Sequence, residues 1–143
     1  MIDKELIKRK LLYNQQELER LKAFEALTVD EIAKNPLEYA ACERFLERLI
    51  GRAIDINRHI IAEKGDVTLK VLKYRDTFLT LAELDVYPLA FAQKIAPSAG
   101  LRNALVHDYN NLDSQMLQKS IGEAVREYSE YADYVLKFLA KEQ

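Results

Sequence analysis

The chain has 143 residues, 49% of them hydrophobic and 31% charged, with a formal net charge of −2. That length supports one domain with a real core and is short for two. No apolar run reaches membrane length, and the opening MIDKELIKRK alternates charged and apolar residues where a secretory signal needs an unbroken apolar segment, so neither a membrane span nor export is expected. Cys42, the one cysteine, sits in YAACERFL and reads as a small buried residue in a reducing compartment, which makes the cytoplasm the expected location. One cysteine and two well-separated histidines, His59 and His107, do not make a zinc constellation, and the acidic residues form no magnesium-like cluster. No metal or cofactor is expected. The slightly acidic balance gives no global signal for nucleic acid, so any such surface must be local.

Four glycines and three prolines punctuate a chain otherwise rich in Leu, Ala, Glu, Lys, Arg and Ile, an all-α composition. From Lys4 to about Leu27, the three- and four-residue spacing of Leu6, Ile7, Leu11, Leu18, Leu21 and Phe24 predicts an amphipathic helix. Thr28 or Asp30 caps a short turn through Ile32. Pro36 suits the first position of a long helix that runs to about Glu63 and closes at Gly65. The next helix is expected over Val71 to Leu84, and Pro88 starts a short one through Ile95. Pro97 then breaks the pattern, and Ser98 is a candidate cap for the segment carrying LRNALVHDY. Asp113 caps a last helix with Ile121, Ala124, Tyr128, Tyr131, Val135 and Leu139 on its buried side, joined by Val125 and Ala132. The expected architecture is a single domain, an antiparallel bundle of four main helices plus short ones.

Within LRNALVHDY, Leu101 and Leu105 share a core-facing side with Leu112, while Asn103 and His107 are neighbours on a polar ridge and Arg102 and Tyr109 share another. Arg102 and His107 lie roughly 140° apart on an ideal helix, so they converge only if the arginine bends or a second surface meets the helix. Polar residues opposite a leucine stripe are usually just solvated. Arg-x-x-x-x-His followed two residues later by tyrosine is the informative combination. On the second long helix, Arg44, Arg48, Arg52, Asp55 and His59 fall on one ridge, which reads either as a solvated, salt-bridged face or as a guide for a phosphate backbone. Tyr128, Tyr131 and Tyr134 read as bundle core and dimer packing rather than a base-stacking platform.

RNALVHDY resembles the signature of HEPN-domain ribonucleases and, with its tyrosine, the narrower pattern of the HepT toxin family. RFLERLIGRAIDINRHII, Arg44 to Ile61, is similar to that family's second helix, and YRDTFLTLAELDVYPLAFAQKIAPSAGLRNALVHDY follows the family's order, so the resemblance covers about Leu37 to Asp113. It implies a metal-independent endoribonuclease of a type VII-like toxin-antitoxin system, built as a homodimer whose two motifs line one cleft and acting on cellular RNA, transfer RNA before messenger RNA. On that resemblance His107 is the general base or acid and Arg102 stabilises the phosphorane. Asn103 orients His107 or donates to the phosphate, and Asp55 and His59, in the D-I-x-x-H segment, support the site. Tyr109 is the residue that a minimal nucleotidyltransferase antitoxin adenylylates. The readings from other classes are a noncatalytic helical adaptor that binds nucleotide or a nucleotidyltransferase partner, and an ordinary helical dimerisation domain.

Overall fold

A computed structural model describes residues 1–65, 72–107 and 113–142. They fold into seven helices: α1 (Lys4–Glu25), α2 (Val29–Ala33), α3 (Pro36–Lys64), α4 (Tyr74–Glu83), α5 (Leu89–Ile95), α6 (Ser98–His107) and α7 (Ser114–Lys141). The described residues contain no strand. Nor does any helix among them have the length and apolarity to cross a membrane.

Polar side chains set most helix starts. Asp3, Asn35 and Asp113 each accept a backbone N–H in the first turn of α1, α3 and α7. Thr28 and Glu31 form a reciprocal capping box on α2. At the end of α4, Asp85 takes the left-handed region (φ 62°), and the N–H groups of Asp85 and Val86 close back on the carbonyls of Ala82 and Leu81. Two boundaries depart from expectation. Lys73 is extended, so the helix expected from Val71 begins at Tyr74, residue 71 itself lying outside the described residues. Ser98 is the first residue of α6 rather than its cap. Ala96 is already helical, and the Ser98 hydroxyl donates to the Ile95 carbonyl at 2.7 Å.

The long helices α1, α3 and α7 carry most of the core, including Ile7, Leu21, Leu49, Ile56, Ile121 and Val135, all fully shielded from solvent. Burying aliphatic side chains of this size contributes about 1.5–3 kcal/mol each. Contacts along the helices fix their directions. Asp3 and Lys10 on α1 meet His59 and Asp55 on α3, so α1 and α3 run antiparallel. Lys4 at the start of α1 reaches Glu142 at the end of α7, so α1 and α7 are antiparallel too, and α3 and α7 point the same way. The shorter α4, α5 and α6 carry the chain back between them, α4 and α6 packing on α3.

Polar groups inside this core are connected. The Tyr131 hydroxyl lies 2.6 Å from Asn57 Oδ1 and 3.2 Å from the Ala53 carbonyl, Asn57 Nδ2 donates to Thr77 Oγ1 at 3.1 Å, and the Thr77 hydroxyl donates to the Tyr74 carbonyl at 2.6 Å. Burial holds the Tyr128 and Tyr131 phenols far above the usual tyrosine range. The C-terminal tyrosines are therefore core, with Tyr134 half-buried against the rings of Tyr87 and Phe91. Cys42 is fully buried, and burial pushes its thiol up to about 12, which keeps it protonated and inert.

Candidate functional site

The motif helix α6 is anchored on one side and open on the other. Ala99 is buried, and Leu101 and Leu105 pack against the core. Asn103 and His107 are exposed, His107 closing the last turn. Arg102 is half-buried on the flank toward α4, its guanidinium 5.2 Å from the centre of the Tyr74 ring. Its Nε is shut off from solvent and has no hydrogen-bond acceptor among the described residues. The ring face below supplies electrostatic attraction in place of an acceptor.

Arg102, Asn103 and His107 thus share one short helix, but within one chain they do not converge. No hydrogen bond joins Asn103 to His107 or Arg102 to either among the described residues. The arginine leans on α4 while the histidine faces outward, as their angular separation on the helix requires. Tyr109 and Leu112 lie outside the described residues.

Asp55 and His59 are engaged elsewhere. His59 Nε2 accepts the Asp3 backbone N–H at 2.9 Å, beside the cap of α1, and Asp55 pairs with Lys10 at 3.5 Å. Neither is bonded to α6 among the described residues. On the same ridge, Arg44 pairs with Glu47 of its own helix at 2.8 Å, while Arg48 and Arg52 turn toward Glu17 on α1. The sequence singled out none of these partners, Tyr74, Asp3, Lys10, Glu47 and Glu17. Tyr74 showed only as the first residue of YRDTFLTLAELDVY, and Glu17 carried no signal of its own in an amphipathic helix.

Behind α6 lies a groove of about 370 Å³ whose walls include Leu101, Ala104, Glu123 and Glu127. Burial, with Glu123 adding to it, pushes Glu127 up to about 7. Lys94 and Lys119 line the same groove, so its charges are mixed in sign, while Asn103 and His107 stand on the outward face of the helix.

Residues 15–135 match the protein-family profile described as Ribonuclease HepT-like. A tRNA nuclease HepT from Aphanizomenon flos-aquae is 34% identical over 125 residues, 85% of this chain and 82% of the relative. A chain of a toxin-antitoxin crystal structure with AMP-PNP superposes with a TM-score of 0.81 at 18% identity, over 93% of this chain and 98% of that one. The structure of a tri-AMPylated Shewanella oneidensis HEPN toxin in complex with MNT antitoxin gives a TM-score of 0.78 at 20% identity, over 96% and 99%. At such identities the superpositions establish a common all-α fold.

Proposed function

The chain belongs to the HepT-like ribonuclease family, and from that premise we propose that it is a toxin whose homodimer cleaves cellular RNA, transfer RNA first, without a metal ion and in the cytoplasm. The observation that carries this reading is the placement of exposed His107 and ring-held Arg102 on the one short helix α6, inside the stretch matched to the family.

RNA supplies its own nucleophile, the 2′-hydroxyl. One His107 takes the 2′-OH proton as that oxygen attacks phosphorus, the bond from phosphorus to the 5′-oxygen breaks, and the partner subunit's His107 protonates the leaving oxygen. The products are a 2′,3′-cyclic phosphate and a 5′-hydroxyl. One histidine does not easily reach both sides of a phosphate, so two motifs across a two-fold axis supply base and acid. Arg102, which within one chain rests on the Tyr74 ring, is the group that stabilises the charge building on the phosphorane oxygens. Asn103, exposed beside His107, donates to the phosphate.

The partner that silences this chemistry is a minimal nucleotidyltransferase antitoxin that transfers AMP to Tyr109. Each AMP adds a phosphodiester charge and an adenine next to the cleft and excludes RNA by charge and bulk.

Incubated with transfer RNA in EDTA, the purified chain is expected to release fragments ending in cyclic phosphate; intact RNA would sink the enzymatic reading and favour a noncatalytic adaptor. Tyr109→Phe is expected to remain nucleolytic while resisting the cognate nucleotidyltransferase plus ATP. Silencing of the phenylalanine variant, with no AMP mass on wild type, would remove the modification from the scheme.

A further inference from the structure

The cleavage scheme leaves unused a cluster of charge between α1 and α3. Glu17 on α1 is only 2% exposed, yet three guanidiniums converge on it: Arg20 and Arg52 at 3.3 Å and Arg48 at 3.8 Å. Holding α1 to α3 does not need all three. Arg52, whose side chain is 23% exposed, spans the two helices by itself through Glu17 and Asn14. Arg48 stands beyond hydrogen-bond distance from the carboxylate, and the Arg20 and Arg48 side chains remain 55% and 45% exposed. One carboxylate among three guanidiniums leaves positive charge uncompensated, and the nearby acids are already matched, Asp55 by Lys10 and Glu47 by Arg44.

The cluster is also pre-shaped. The Arg20 guanidinium sits 5.5 Å from the Phe45 ring centre and that of Arg52 5.4 Å from the Tyr13 ring centre. Tyr13 itself is 46% exposed, and Arg9, one turn earlier on the same side of α1, is exposed and forms no ion pair among the described residues. Guanidiniums held against rings lose little freedom on meeting a planar or tetrahedral anion. In a chain whose net charge is −2, this face is a local basic excess beside the Tyr13 ring, which Arg52 engages and which stays partly exposed.

We infer that the α1/α3 face around Tyr13, Arg20 and Arg48 is a second RNA contact surface, taking a phosphodiester at the exposed guanidiniums and a base on the tyrosine ring. The inference rests on the reading that the chain acts on RNA, and it names how the body of that RNA is held. On α3, Ile50 lines the groove beneath α6. Arg48 and Arg52 are roughly 160° around the helix from it, so the surface lies away from the motif and engages only an RNA large enough to reach past the cleft. Transfer RNA has that size.

The test is direct binding of fluorescently labelled transfer RNA to the intact protein carrying His107→Ala, with and without the pair Arg20→Gln and Arg48→Gln. The pair is expected to weaken binding about tenfold at ~0.1 M salt and to reduce the slope of log affinity against log salt by roughly 1.4–1.8, since each of the two lost phosphate contacts removes about 0.7–0.9. With His107 intact, the pair should raise KM for transfer RNA and leave kcat alone. The lysine pair, Arg20→Lys and Arg48→Lys, keeps the charge and should keep most of the slope. Tyr13→Ala, at an exposed ring, should weaken binding about fivefold through lost stacking and serves if the glutamine pair unfolds. Unchanged affinity and slope with a lowered Tm would make the cluster a helix clamp and overturn the inference. So would a change confined to dimerisation, or to affinity for the nucleotidyltransferase. Wild type that binds RNA through this face without cleaving it would remove the ribonuclease reading and leave the surface standing.

Discussion

Replacing His107 with alanine is expected to lower kcat for RNA cleavage by about 10²–10⁴-fold, the range that a positioned general acid or base contributes, while the melting temperature stays within about a degree of wild type. The two expectations belong together because of where the side chain sits. His107 closes α6, is exposed, and forms no hydrogen bond among the described residues, so its removal opens no cavity and orphans no partner. The helix itself is held by Ala99, Leu101 and Leu105, which the substitution does not touch. If both subunits contribute a histidine to one cut, mixed dimers of wild type and variant should fall well below half the activity of wild type. Arrest of growth and decay of RNA at equal rates with the variant would end the catalytic assignment. Proportional activity in mixed dimers would end the composite cleft.

The fold was legible because helix grammar here is local. Thr28, Pro36 and Asp113 mark helix starts by local chemistry that needs no tertiary context, and the apolar spacing of α7 names its buried residues Ile121, Tyr128, Val135 and Leu139 before any partner is known, whereas the caps Asp3 and Asn35 were found only in the structure. Ser98 was misjudged because a hydroxyl after proline can cap or bond backward, and the helical Ala96 decides for the second. The motif was legible as a pattern, but its geometry was not. Spacing placed Arg102 and His107 on different flanks, and only packing shows that the arginine's flank meets Tyr74 of α4. The ridge from Arg44 to His59 divides in a way no single-helix plot could foresee. Its members meet different acids, carbonyls and amides on α1 and α3: Glu17 draws Arg48 and Arg52, Lys10 takes Asp55, and the α1 N-terminus takes His59.

Asn57→Ala carries the largest expected cost to stability, about 2–4 kcal/mol, because it removes the middle of a buried chain of hydrogen bonds and leaves a cavity. Asn57 is fully buried and joins Tyr131 on α7 to Thr77 on α4. Its loss leaves the Tyr131 hydroxyl with only the longer contact to the Ala53 carbonyl, and strips Thr77 Oγ1 of the donor it accepts. For a chain of this size that cost corresponds to a Tm lower by roughly 5–15 °C in thermal melts. Tyr131→Phe removes one end of the same chain and should cost less, about 1–2 kcal/mol, because Asn57 keeps Thr77. Since both substitutions delete one shared bond, the double variant should be less destabilised than the sum, and strict additivity in a double-mutant cycle would show the two groups are not coupled. The consequence extends to the site. Thr77 donates to the carbonyl of Tyr74, and the ring of Tyr74 holds Arg102. Loosening α4 at Thr77 should therefore lower kcat at temperatures where the variant is still folded. An Asn57→Ala protein with unchanged kcat well below its Tm would show that Arg102 keeps its place without this support.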